Sequence, residues 1–190
     1  METYRLFIGA QLPASVKAEL VGAQIWLRQA NLPVSWVAPA AMHLTLRFLG
    51  DTSVTQIPAI ERAICAALAP HSAMTLRLAG AGGFPNDRRP SVVWAGVGGE
   101  LAALARAQAA IESAVVGVGS TPETKPFRAH LTLGRLRREA GPHHQQRLGD
   151  AIRSLPPAAP LEWPLEQVIL FRSEQRREGP IYTAIADCRL

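Results

Sequence analysis

His43-Leu44-Thr45-Leu46 recurs as His130-Leu131-Thr132-Leu133, and the offset of 87 (130 − 43) carries well beyond the tetrapeptide. Sliding the chain by 87 without gaps lays 4–12 (YRLFIGAQL) on 91–99 (SVVWAGVGG), with Gly9 on Gly96. Pro13 falls on Glu100, and a proline and an acid both suit the start of a helix. Farther on, Ala18 meets Ala105, Pro39 meets Pro126 and Leu49 meets Leu136. Each half therefore reads strand, helix, proline-containing loop, then a strand opening on His.

Local signals agree with that reading. Segments 6–12 and 92–97 are short and apolar, as buried strands are. Segments 13–30 and 100–116 are rich in Ala and Leu and free of interior proline, as helices require. Asp51, Thr52 and Ser53 are candidate caps for a helix running to about residue 69, and Gly141-Pro142 leads into a helix over 143–154. Further strands are expected at 74–79, 168–171 and 181–186. The glycine-rich 80–83 and 117–119 read as turns, and the four prolines of 154–164 as a connector. The predicted fold class is α+β. Two pseudo-twofold-related lobes, each an antiparallel sheet with helices packed outside, enclose a central cleft. All of 1–190 forms one bilobal domain, with halves near 4–86 and 91–172 and a C-terminal strand at 180–187 completing it.

Under such symmetry His43 and His130 face each other across the cleft. Strand side chains alternate, so each His shares a face with the Thr two residues on, while the leucines turn into the lobes. Two imidazoles that titrate near neutrality can serve as one general acid and one general base. Thr45 and Thr132 can hold phosphoryl oxygens by hydrogen bonds. A single His-x-Thr would be weak evidence; its repetition within a repeated strand and helix is strong.

The chain has 190 residues, of which 48% are hydrophobic and 18% charged, enough for a core and too apolar for a disordered tail. Net charge is +5, and eighteen of the twenty cations are Arg, whose planar fork suits phosphate. No apolar run approaches the ~18 residues of a membrane span, and the N-terminus lacks the pattern of a signal peptide. A cytoplasmic, monomeric protein is expected, with no membrane partner. Cys65 and Cys188, 123 positions apart (188 − 65), read as two reduced thiols. His71, His143 and His144 read as surface histidines, since no His/Asp/Glu spacing supports a metal. Neither GxGxxG, GxSxG nor a P-loop is present.

HLTLRFLG at 43–50, HLTLGR at 130–135, GGFPN at 82–86 and LFRSE at 170–174 together resemble the two-histidine (2H) phosphoesterase superfamily. The resemblance is to its RNA 2′,3′-cyclic phosphodiesterases of the LigT-like group, historically called 2′-5′ RNA ligases. It spans essentially the whole chain. It implies a bilobal fold around a water-filled groove, with no metal and no cofactor. The implied activity is hydrolysis of an RNA 2′,3′-cyclic phosphate to a 2′-phosphomonoester, and some members also join or cleave 2′-5′ linkages without ATP. The implied partner is RNA bearing such an end, tRNA fragments included, or a nucleotide. By the same carry-over His43 corresponds to the proton donor, His130 to the base, Thr45 and Thr132 to the phosphate-binding threonines, and Arg135 to an arginine five residues after the second His. Ala129 departs from the proline that relatives often carry there.

Alternation poses a difficulty for Arg135. An offset of four keeps the histidine face and five reverses it, so Arg47 rather than Arg135 falls on that face, where it contributes to substrate binding or is simply a solvated strand residue. A twist, bulge or strand end after Gly134 would release Arg135 into the cleft. Phe48, Phe84 and Phe127 are candidates for stacking on a nucleobase. Core packing is the competing reading and the stronger one for Phe48. Arg137, Arg138 and the pairs Arg88-Arg89 and Arg176-Arg177 can form an RNA-attracting surface or simply be solvated. The alternative function is a nucleotide- or RNA-binding module using the same groove without turnover.

Overall fold

Val16, Leu20, Gln24 and Leu27 form the buried stripe of the first helix, spaced to line one face. The equivalent stripe of the repeated helix is Leu104, Ala107, Ile111 and Val115. These stripes cover two antiparallel sheets. A computed structural model of the chain describes residues 2–176 and 179–190. The elements are β1 (Thr3–Gln11), α1 (Ala14–Arg28), β2 (Val34–Trp36), β3 (His43–Ser53), α2 (Ile57–Leu68), β4 (Met74–Phe84) and β5 (Val92–Gly99). They continue as α3 (Leu101–Gly117), β6 (His130–Leu136), α4 (Pro142–Arg153), β7 (Glu162–Leu165), β8 (Gln167–Arg176) and β9 (Gly179–Arg189). The fold is α+β, as the repeat implied.

The first sheet has strand order β3-β1-β8-β9 and the second β2-β6-β5-β4-β7. The β1–α1–β3 and β5–α3–β6 units seed one sheet each, but the elements around them are exchanged. Strand β4 follows the first unit in sequence yet pairs with β5, and β8 follows the second yet pairs with β1. The helices are exchanged as well. α1 hydrogen-bonds to β6 of the second sheet, while α3 packs on β3 of the first. Each sheet takes an interior strand from the other half, β8 in the first and β4 in the second. Apolar side chains of both sheets and all four helices join one core.

Several local expectations change. Asp51, Thr52 and Ser53 do not cap a helix; they end β3, and α2 starts after a 3-10 turn at Val54–Gln56 with Pro58 in its first turn. Residues 80–83 are not a turn but part of β4, where Gly80 (φ +42°) supplies an irregularity opposite β5. Part of the proline-rich connector forms β7, whose Pro164 is tolerated because β7 is an edge strand. The 87-residue slide also misplaces one strand. Thr45 lies opposite Gly9 but Thr132 opposite Trp94, so β1 and β5 correspond at an offset of 85 (94 − 9). A shift of two keeps every face, which is why the slide still looked right.

The cysteines are not reduced thiols. Cys65 on α2 and Cys188 on β9 form a disulfide, with Cα atoms 5.0 Å apart. A separation of 123 residues carries no sign of this pairing; packing of α2 against β9 creates it. Closing so long a loop is worth about 4–5 kcal/mol in the chain-entropy model. Reduction, or Cys65→Ser, should lower the urea midpoint of unfolding, read by circular dichroism; an unchanged midpoint would show that the bond does not restrain the unfolded chain.

Candidate active site

The two His-x-Thr strands share one burial pattern over their first seven residues: alternation through Leu46 and Leu133, then a second consecutive buried residue, then an exposed one. The ladder explains it. Ile8 pairs with Arg47 and Gly9 with Thr45, leaving Leu46 as an extra residue; Val93 pairs with Gly134 and Trp94 with Thr132, leaving Leu133 as the extra residue. A bulge at this point inverts the faces of everything after it. His43, Thr45 and Thr132 line the cleft, and His130 shares the Thr132 face of its strand without being among the lining residues; the bulged Leu points to the core, and the residue five after each His returns to the cleft. In the second strand that residue is Arg135, in the first Phe48.

Arg135 and Phe48 both line the cleft, a cavity of about 960 Å³ walled also by His43, Thr45 and Thr132. The release of Arg135 thus happens one residue earlier than expected, at Leu133 rather than after Gly134. Phe48 is 55% exposed and lies 5.9 Å from the Phe7 ring, so it is a cleft residue and not core. Phe84 meets the His130 ring edge-on at 4.9 Å. Phe127 packs on the core instead.

Arg47 is not in the cleft. The bulge turns it to the opposite face, where it is only 7% exposed and donates to the Glu112 carboxylate of α3 and to the carbonyls of Phe48 and Thr121. Glu112 also accepts the Glu123 N–H at 2.8 Å. The pair therefore pins the irregular segment 118–129 that leads to His130. Of the other arginines, Arg176 lines the cleft, whereas Arg88, Arg89, Arg137 and Arg138 are exposed. Arg177 lies outside the described residues.

Each imidazole is held in the same way. His43 Nδ1–H donates to the Ala41 carbonyl at 2.8 Å and His130 Nδ1–H to the Arg128 carbonyl at 2.6 Å. A ring whose Nδ1 carries the proton leaves its Nε2 lone pair free when neutral. Burial lowers the pKa of both rings below the usual histidine value, against the upward pull of these hydrogen bonds. The charges of His130 and Lys17 lower His43 further, and that of Arg135 lowers His130.

Sequence reasoning missed the aromatic wall around His43. Phe7 lies 4.6 Å from its ring, and Tyr182 of β9 meets it edge-on at 4.9 Å. Burial raises the Tyr182 pKa, so its hydroxyl keeps its proton and can donate. Arg5, Trp36 and Ser173 also line the cleft. Nothing near Tyr182 in the sequence marks it; only the pairing of β9 with β8 brings it to the site.

The model of the 2′-5′ RNA ligase superfamily matches residues 16–177. The chain belongs to that superfamily. A relative from Methanothermobacter thermautotrophicus named RNA 2′,3′-cyclic phosphodiesterase is 31% identical, covering 98% of each chain. Another of that name from Thermus thermophilus is 35% identical over 95% of this chain and 87% of its own. The crystal structure of E. coli LigT complexed with 3′-AMP has a TM-score of 0.79 at 25% identity, over 100% of this chain and 99% of that one. Within this superfamily member, then, the two lobes place paired His-x-Thr strands along one groove. Among the described residues no helix is long and apolar enough to cross a membrane.

Both rings should titrate below 6.5 when followed by NMR of their side-chain nitrogens. Arg135→Ala removes a positive neighbour and should raise the His130 pKa, and His130→Ala should raise that of His43; shifts in the other direction would contradict the assigned causes.

Proposed function

We propose that the protein is a metal-independent RNA 2′,3′-cyclic phosphodiesterase that produces 2′-phosphomonoesters. The observation that carries this reading is the matched pair of His-x-Thr strands, each imidazole fixed through Nδ1 with Nε2 left for chemistry. In-line attack on a cyclic phosphodiester needs a base on one side of phosphorus, an acid on the other, and hydroxyls or cations for the equatorial oxygens.

The family resemblance makes His130 the base and His43 the acid, and the charge of Arg135 favours the neutral His130 ring that a base needs. Water gives its proton to His130 Nε2 as its oxygen bonds to phosphorus. The bond from phosphorus to the 3′ oxygen breaks, and that oxygen takes the proton of His43 Nε2. Thr45, Thr132 and Arg135 hold the non-bridging oxygens. Phe48, exposed in the groove, offers a stacking face for the base, and Phe84 limits the swing of His130. The site is complete in one chain, which fits a monomer. A cytoplasmic location fits an RNA substrate.

An oligonucleotide ending in a 2′,3′-cyclic phosphate should be opened in the presence of EDTA. His43→Ala and His130→Ala should each lower the rate by about 10²–10⁴-fold, the usual scale of acid-base assistance. Because one ring must be protonated and the other neutral, kcat/KM should trace a bell. With both pKa values lowered, its alkaline limb begins at or below pH 6.5. Saturable binding without turnover would assign the groove to a binding module, and full activity of either alanine variant would remove the mechanism.

A further inference from the structure

Gln24 is a polar residue in the core-facing stripe of α1, and it is only 3% exposed. Its Nε2 donates to two carbonyls, Val37 and Leu133, each at 2.8 Å. The amide orientation is settled by chemistry, since an oxygen placed there would face two other oxygens. Leu133 is the bulged residue that turns Arg135 into the cleft. Val37 follows β2, on the segment that walls the cleft and ends in the Ala41 carbonyl holding His43. One side chain therefore touches both the wall that precedes the first His and the bulge that follows the second.

The rest of the junction is built to match. Val37 N–H also donates to the Leu133 carbonyl at 2.9 Å, and Trp36 pairs with Gly134. A Cβ on Gly134 would come within 2.6 Å of Val34 Cγ1, so only glycine lets β2 lie so close. In the other half the counterpart is Gln108 of α3, which donates to the carbonyl of the other bulged residue, Leu46, at 3.4 Å. Each bulge is thus held by a glutamine from the helix of the opposite half, tightly at Leu133 and loosely at Leu46.

We infer that Gln24 is a positioning residue: through the Leu133 carbonyl it fixes the bulge that aims Arg135 at the substrate phosphate. Gln24 touches no substrate itself. Removing its amide leaves the part-buried Val37 carbonyl and the buried Leu133 carbonyl without that donor and lets the β2–β6 junction relax. Arg135 then samples positions outside the groove, and phosphate affinity falls while the histidines keep their own anchors.

The test is a double-mutant cycle between Gln24→Met and Arg135→Ala, read by KM and kcat on the cyclic-phosphate oligonucleotide and by calorimetric titration with inorganic phosphate. The inference rests on the proposed reaction for its kinetic arm only. A wild-type protein that binds phosphate but does not turn over would refute that reaction and leave the titration valid. Expected are a roughly tenfold weaker Kd and higher KM for Gln24→Met, with kcat changed less. In the Arg135→Ala background the same substitution should change Kd by less than about twofold. Gln108→Met should show no coupling to Arg135. Equal effects of Gln24→Met in both backgrounds, or equal coupling from Gln108→Met, would mean general softening and overturn the inference. Gln24→Asn keeps the amide but falls one methylene short, and serves if the methionine variant does not fold. Failure of both to fold would make Gln24 a residue of stability alone and would also overturn it.

Discussion

An extra residue in each His-x-Thr strand governs what the groove contains. Without Leu46 and Leu133 as bulges, strict alternation would put Arg47 and Gly134 in the cleft and turn Phe48 and Arg135 away. The site would hold two imidazoles and two hydroxyls, with one arginine on the wrong lobe. With the bulges in place, His, Thr and the fifth residue after the His converge, and the intervening residue is pushed to the outer face. There the same displacement gives Arg47 its buried partner, Glu112, and lets Gly134 accept the close approach of β2.

Pseudosymmetry builds the site, and departures from it make the two sides unlike. The equivalents Phe48 and Arg135 give one wall a stacking surface and the other a cation. Around His43 stand Phe7 and Tyr182; around His130 stand Phe84 and Trp94. Identical backbone anchoring leaves both rings as the same tautomer, so only their surroundings can separate acid from base. Arg135 disfavours charge on His130, while burial and the charges of His130 and Lys17 disfavour it on His43.

Exchange of strands and helices ties the two lobes into one unit. β4 and β8 each cross to the other sheet, while α1 and α3 each cover the sheet that their own preceding strand does not join. A groove whose opposite walls must hold two imidazoles in register gains from this arrangement, because neither lobe can move without disturbing the helix that anchors the other. Arg47 does similar work from the strand side, holding the segment before His130 from the strand that carries His43. The disulfide adds a covalent tie where β9, which brings Tyr182 to the cleft, lies on α2.

Much of this is legible in the amino-acid sequence itself. The repeat of His-Leu-Thr-Leu at a constant offset, with matching strand and helix signals, is enough for the α+β class, the paired lobes and the cleft-lining His43, Thr45 and Thr132, because period and repetition are local properties. The bulge was visible only as a conflict between alternation and the position of Arg135; its place at Leu133 depended on pairing with β5. Gly80–Gly83 misled because glycine content signals turns equally well when its real use is close packing inside a strand. The exchange of β4 and β8, the meeting of Cys65 with Cys188, and the arrival of Tyr182 and Gln24 were not written in any local pattern. They arise from contacts between residues far apart in sequence, and only the packed chain decides which of those contacts form.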